Sequence, residues 1–150
     1  MTLNQQLPDE IRKVAMDFDN AIASKSIELA LSSFSDDCEI ELLGIKLTGK
    51  EGARKWINWL YEHLATVEFV PVIIMVDGNI FFEEFTVKAK LQDGAEIQSK
   101  QAEVLVYENY KIKSLRLYFD RLDFADSVAK GFISRRIVRR LIRESLKGLM

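Results

Sequence analysis

The chain has one cysteine and one histidine among its 150 residues. Cys38 has no second cysteine with which to form an internal disulfide, and His63 alone cannot supply a histidine-based metal site. We therefore predict a protein without a metal or other cofactor, in a reducing, cytoplasmic compartment. The sequence also lacks the run of about 20 apolar residues that a membrane span requires. Its first residues lack the basic and apolar segments of a signal peptide.

Motifs of several enzyme classes are absent as well. We find no phosphate-binding glycine loop and no GxSxG, HExxH or CxxC sequence. Nucleotide hydrolysis, zinc chemistry and Ser-His-Asp acyl transfer therefore have no support in the sequence. The chain does contain 48% hydrophobic and 29% charged residues, a balance that indicates one globular domain and excludes a disordered chain.

The net charge of −2 conceals an asymmetry along the chain. From Lys130 onward seven basic side chains stand against Glu144 alone, so this tail carries +6 and residues 1–129 carry −8. Because an acidic body does not attract polyanions, we expect no nucleic-acid binding. On a helical wheel the tail separates apolar from basic side chains, which predicts a basic amphipathic helix over 124–150.

Helical spacing of apolar residues predicts three helices in the first half of the chain. The first spans about 9–23, and a shorter one spans 26–34. The third begins at a capping box, in which Thr48 accepts from the Glu51 amide while the Glu51 side chain reaches back. A strand, Cys38–Leu43, lies between the second and third helices.

After residue 66 the period of the pattern changes to two, which is typical of strands. The dipeptides Asp77-Gly78 and Asp93-Gly94 supply the positive φ angles that tight hairpin turns require. Helices followed by an antiparallel meander predict an α+β fold with a further helix at the C-terminus. The meander strands are expected at 67–76, 80–91, 95–108 and 111–120.

This order of elements, with the segments FSDDCEIELLG and LTGKEG within Phe34–Gly52, resembles the nuclear transport factor 2-like superfamily. That superfamily includes SnoaL-like polyketide cyclases, ketosteroid isomerases and limonene epoxide hydrolases. The resemblance covers about residues 9–125. It implies three helices packed on a curved, mainly antiparallel sheet, a cone with a central hydrophobic pocket, and a homodimer formed through the sheet. We therefore divide the chain into a SnoaL-like domain, residues 1–125, and a helical extension, residues 126–150.

The catalytic residues of these relatives are only partly matched. The resemblance to ketosteroid isomerases places Phe18 at the oxyanion-hole tyrosine and Leu42 at the general-base aspartate, and neither side chain can act in that role. The segment that corresponds to the Arg-x-Asp of the epoxide hydrolases, Ile80–Phe85, has no arginine. The resemblance does place Asp120 where cyclases and epoxide hydrolases carry an acid/base aspartate.

Several candidate site residues have two interpretations. Asp120 is either a proton-transfer group in an apolar cavity or a capping group at a strand end. Glu84 is either a second inward carboxylate or a solvated side chain. Glu103 and Arg116 either line the pocket or form a cross-strand salt bridge. The predicted pocket comprises Phe18, Leu42, Trp56, Leu60, Phe82, Glu84, Glu103, Tyr107, Arg116 and Tyr118.

Two functions are consistent with these residues. The first is a module that binds a small hydrophobic ligand or a partner and lacks an intact known catalytic set. The second is a cofactor-independent lyase, isomerase or hydrolase that acts on a small apolar substrate with Asp120 as acid/base. Two ionisable side chains converging on one empty volume would favour the enzyme, and a wholly apolar cavity would favour binding.

The amphipathic tail has three candidate surfaces. It can pack on its own domain or its dimer mate, dock on another protein, or contact an anionic membrane through residues 130–150. We expect the first, because terminal helices of small domains usually cover exposed apolar surface.

Overall fold

The computed structural model describes residues 5–149, except for the side chains of residues 126–128. The predicted α+β fold, with helices first and a meander after them, is confirmed. In the described residues the elements are α1 (Pro8–Ala23), α2 (Ile27–Ser32), β1 (Phe34–Leu42), β2 (Ile45–Thr48), α3 (Gly49–His63), β3 (Leu64–Asp77), β4 (Ile80–Leu91), β5 (Glu96–Glu108), β6 (Lys111–Phe119), α4 (Leu122–Val128) and α5 (Phe132–Ser145).

The strands form one curved, unclosed sheet in the order β2-β1-β6-β5-β4-β3. Neighbouring strands are antiparallel except β1 and β6, which run parallel. Both predicted hairpin turns are present, and Gly78 and Gly94 adopt positive φ angles of 55° and 85°. The short strand β2, which the sequence pattern did not predict, pairs with β1 and leads directly into α3.

Helices α1 and α3 cover the inner, concave face of the sheet. Each turns one apolar side towards it, so that Phe18 and Ile22 of α1 and Trp56 of α3 are buried. The predicted start of α3 is confirmed. The predicted capping bond is wrong, because the Thr48 side chain makes no hydrogen bond to the first turn of the helix. Thr48 is instead the last residue of β2, paired with Glu39 of β1.

The tail differs from the single helix predicted over 124–150. It forms α4 and α5, which are separated at Gly131, where a φ of 83° interrupts the helix. No side chain of α5 is buried, and Phe132 and Ile133 are 80% and 74% exposed. The prediction that residues 130–150 pack on their own domain is therefore wrong, whereas Phe124 of α4, at the start of the tail, does pack on Phe119 of β6. Contact with a dimer mate, another protein or a membrane stays a prediction.

None of the described helices is long and apolar enough to cross a membrane.

Removing residues 130–150 should leave the melting temperature within about 2 °C of that of the full chain. The reason is that α5 buries no side chain of its own. Thermal unfolding followed by circular dichroism measures the difference. Aggregation, or a loss of several degrees, would contradict this prediction and indicate that the tail packs against a dimer mate.

The convex face of the sheet carries an apolar patch that suits a homodimer. Register aligns Met75, Phe82 and Val104 across β3, β4 and β5, and Ile80 and Val106 occupy the next row. Met75 and Ile80 are 55% and 45% exposed. We therefore predict a homodimer formed through this face, which buries the patch between two copies.

Sedimentation at micromolar concentration should give twice the chain mass of 17.3 kDa. Phe82→Glu, which places a charge between Met75 and Val104 in the patch, should shift the protein to monomers while its circular dichroism spectrum stays unchanged. A single species at the chain mass for the unsubstituted protein would contradict the dimer.

Candidate functional site

A cavity of about 310 Å³ lies between the covering helices and the inner face of the sheet. This volume is at the lower end of the range for small-molecule sites. Its lining is mostly apolar, and aromatic side chains contribute from α1, α3, α4, β3, β4 and β6. In such surroundings, charges interact more strongly than in water. The principal aromatic lining residues are Phe18, Trp56, Trp59, Tyr61, Phe69 and Phe85.

Three carboxyl groups, two of which line this cavity, lie close together, and we call them the carboxyl cluster. Asp19 comes from α1, and Glu83 and Glu103 come from β4 and β5, where they are paired directly across the two strands. One oxygen from each of the three lies within 4.8 Å of the others. Asp19 and Glu103 line the cavity, whereas Glu83 lies outside its lining and is 2% exposed.

Burial without a neighbouring cation keeps protons on the carboxyl cluster. Burial and the neighbouring Glu83 carboxylate raise the pKa of Asp19 from 3.8 to about 8. Burial, with the charges of Asp19 and Glu83, raises the pKa of Glu103 well above its usual range. The hydrogen bond between the two glutamates raises the pKa of Glu103 and lowers that of Glu83, so Glu103 is the donor; burial raises the pKa of Glu83 as well.

Two buried polar atoms near the cavity lack hydrogen-bond partners among the described residues. They are the Tyr107 hydroxyl and Nε1 of Trp56. Tyr107 shares the buried side of β5 with Glu103 and is 1% exposed. Burial, and then the charges of the carboxyl cluster, raise the pKa of Tyr107. These atoms leave unused hydrogen-bonding capacity beside the cluster and in the cavity wall.

The basic side chains Lys25 and Arg121 of the cavity lining are directed to backbone carbonyls. Nζ of Lys25 donates to the Leu64 carbonyl at 2.9 Å, and Nη2 of Arg121 donates to the Leu43 carbonyl at 2.6 Å. Among the described residues, every ion pair lies outside the carboxyl cluster. The described residues therefore supply no compensating positive charge to the cluster.

The structure brings some of the predicted pocket residues together. Those that line the cavity are Phe18, Trp56, Leu60 and Glu103. Two others, Leu42 and Tyr107, are buried in the adjoining core and lie outside the lining. The inward orientation of these side chains follows from the apolar sides of α1, α3, β1 and β5.

For four predicted pocket residues the orientation was wrong, because they lie on the opposite face of the sheet: Phe82, Glu84, Arg116 and Tyr118. The strand register explains the error. Glu103 stands opposite Leu117, so Leu117 shares its face, whereas the exposed Arg116 stands opposite Val104. Neither the pocket nor the salt bridge that the sequence suggested for Glu103 and Arg116 is formed.

Asp120, the predicted acid/base residue, lies outside the cavity lining. It is exposed, and its Oδ1 accepts a hydrogen bond of 2.9 Å from the Leu122 amide at the start of α4. Such a short-range bond to the backbone is common for aspartate at a turn. Asp120 is therefore a capping group at a strand end, as one of the two interpretations held. The other interpretation, which placed it in an apolar cavity, is wrong.

Two members of the carboxyl cluster, Asp19 and Glu83, were missed from the sequence although each carries a periodic signal. Asp19 precedes the buried Ile22 by three residues, which places both on one side of α1. Glu83 stands between Phe81 and Phe85 on the apolar side of β4. A carboxyl at a core position of an amphipathic pattern is therefore the signal that would have found this site.

Residues 15–115 match the SnoaL-like domain family, and the chain belongs to that family. No curated protein sequence matches it. Similar solved structures include an LEH-like epoxide hydrolase of M. tuberculosis, which is 18% identical with a TM-score of 0.69 and coverage of 86% of this chain and 96% of that one.

Two further structures have the same fold. One is described as a polyketide cyclase of Xanthomonas campestris, with 10% identity, a TM-score of 0.69 and coverage of 75% and 91%. The other is a protein of Catenulispora acidiphila with a ketosteroid isomerase-like fold, in complex with trimethylamine, with 14% identity, a TM-score of 0.69 and coverage of 75% and 89%. At these sequence identities the similarity establishes the fold alone, so any chemistry has to be inferred from the residues of the site.

The free energy of unfolding should fall as the pH rises from about 4 to about 8. Over this range the folded chain keeps protons on Asp19 and Glu103 that the unfolded chain has released. Stability is therefore greatest at the acidic end, and a group of this kind removes up to about 1.4 kcal/mol per pH unit.

Urea unfolding at several pH values measures this slope. Glu103→Gln keeps the size of the side chain and removes its titration, so its slope should be shallower. Glu84→Gln, on the opposite face of the sheet in the neighbouring strand β4, is the matched control and should keep the original slope. Equal slopes for Glu103→Gln and the unsubstituted chain would refute the assignment.

Proposed function

We propose that this chain binds a small, mainly apolar molecule in the cavity and that the carboxyl cluster exchanges protons with it. The observation that carries the proposal is the convergence of Asp19 and Glu103 on one mostly apolar volume. A pair of carboxyl groups whose pKa values differ is a common basis of general acid and base catalysis, because one group can donate a proton while the other accepts one. We therefore favour a cofactor-independent isomerase, lyase or hydrolase, acting in the cytoplasm.

The two lining carboxyls have different proposed roles. Asp19, whose pKa is about 8, is partly ionised near neutral pH and accepts a proton from the substrate. Glu103 holds its proton at that pH and donates it to a substrate oxygen or leaving group. Glu83 accepts the Glu103 hydrogen bond while Glu103 is protonated and so positions it. The apolar walls keep water away from the reacting atoms.

This proposed set differs from those that the family resemblance implied. Phe18 and Leu42 occupy the ketosteroid isomerase positions without suitable groups, and β4 directs Phe81, Glu83 and Phe85 inward with no arginine. The acid/base pair that we propose comes from α1 and β5 instead. The epoxide hydrolase and the cyclase among the similar structures are consistent with diverse chemistry in one fold.

Binding without turnover is the second candidate function. It is supported by the predominantly aromatic and aliphatic lining of the cavity. Native mass spectrometry of the purified chain tests for a retained small molecule. A molecule that is released unchanged after prolonged incubation would favour binding, and its conversion to a product would favour the enzyme.

Asp19→Asn and Glu103→Gln should each lower turnover by about 10²-fold or more, because each removes one proton-transfer group. Asp120→Asn should leave turnover unchanged, since Asp120 lies outside the cavity lining. Rates are measured on a panel of small apolar epoxides, enolisable ketones and alcohols. The kcat/KM of the unsubstituted chain should rise with pH towards about 8, as Asp19 loses its proton.

Circular dichroism controls for the folding of each variant. A protein in which Asp120→Asn abolishes turnover while Asp19→Asn and Glu103→Gln retain it would overturn the assignment. That result would instead assign the catalytic role to Asp120 at the end of β6.

A further inference from the structure

We propose that the molecule bound in the cavity is a small, mainly apolar amine whose protonated nitrogen lies within the carboxyl cluster. This inference rests on the proposed function, because it names the chemical class of the ligand for the same cavity. It goes further by assigning the ligand a positive charge. Three features of the site carry it.

The first feature is the missing positive charge. The oxygens of Asp19, Glu83 and Glu103 lie within 4.8 Å of one another, and no ion pair between described residues includes them. The nearby basic residue Lys25 donates to the Leu64 carbonyl instead. Buried charges in proteins are normally paired with an opposite charge or bound to a cation. A ligand ammonium would supply that charge.

The second feature is the Tyr107 hydroxyl, which is buried and has no hydrogen-bond partner among the described residues. Tyr107 shares the buried side of β5 with Glu103 of the carboxyl cluster. A buried polar atom without a partner is destabilising, and its oxygen can accept a hydrogen bond. An ammonium has up to three N–H donors, and the Asp19 carboxylate, which lines the cavity, can accept from one of them.

The third feature is the cavity wall, which selects the rest of the ligand. Aromatic rings of Phe18 and Trp56, with centroids 6.4 Å apart, line the cavity together with Asp19. They can contact hydrocarbon and attract a cation over their faces. A compact amine with an aliphatic or aromatic body matches both the charge of the cluster and the walls.

A divalent metal ion would match the charge but not the surroundings. It would have to displace the proton that Glu103 donates to Glu83. A magnesium ion usually keeps several of its waters, and the apolar walls offer those waters few hydrogen-bond partners. The apolar body of an amine makes use of these walls, whereas a hydrated ion does not.

The two tryptophans of the chain, Trp56 and Trp59, both line the cavity, so their fluorescence reports binding directly. Cyclohexylmethylamine is cationic at pH 8 and has nearly the same shape as the neutral cyclohexylmethanol. We expect the Kd of the amine to be lower than that of the alcohol by about tenfold or more, the factor that corresponds to about 1.4 kcal/mol.

Substitutions within the carboxyl cluster should remove this preference. Glu83→Gln and Asp19→Asn are expected to bring the two Kd values within about threefold of each other. Glu84→Gln lies on the opposite face of β4 and should retain the full preference for the amine. Circular dichroism identifies any variant that fails to fold, and the second cluster variant then provides the comparison.

The outcomes separate this inference from the proposed function. Equal Kd values for the amine and the alcohol would overturn the amine and leave apolar binding intact. No binding of either probe, with no retained molecule in native mass spectrometry, would overturn both. Displacement of the amine by Mg²⁺ or Mn²⁺ at micromolar concentration would assign the cluster to a metal ion and reject the amine.

Discussion

The direct pairing of Glu83 with Glu103 across two neighbouring strands is the constraint on which the site depends. Two acidic side chains in this position repel each other when both are ionised, and Asp19 adds a third carboxyl from α1. Retained protons make this arrangement compatible with burial. The apolar cavity sustains it, because water that would favour the ionised carboxylates has little access to them.

The sheet and its covering helices create this environment from elements far apart in the sequence. Strands β4 and β5 bring two carboxyls to the inner face, and α1 packs across them with Asp19. The helices leave part of that face unfilled, so the same contacts that bury the cluster also open a cavity beside it. Stability and chemistry are therefore coupled, since the groups that weaken the folded state at higher pH are those available for proton transfer.

Local patterns predicted much of the fold and only part of the site. The turns at Gly78 and Gly94 and the start of α3 depend on neighbouring residues, so they could be predicted. Strand β2 is four residues long, which is too short for a clear period. The break at Gly131 was missed because apolar periodicity continues on both sides of it. Within the site, Glu103 was found, whereas Asp19 and Glu83 were overlooked despite their positions on apolar faces.

The sequence by itself determined which residues of one strand share a face, because side chains alternate along a strand. Glu103, Leu105 and Tyr107 therefore had to point to one side. Which residues of β6 join them depends on register, and a shift of one residue reverses the face. That register includes an irregularity between Val106 and Tyr107. Only the tertiary structure decided that Leu117 lies opposite Glu103 and that α1, a helix distant in sequence, completes the carboxyl cluster. The reason is that the periodicity of one element contains no information about which other element it contacts.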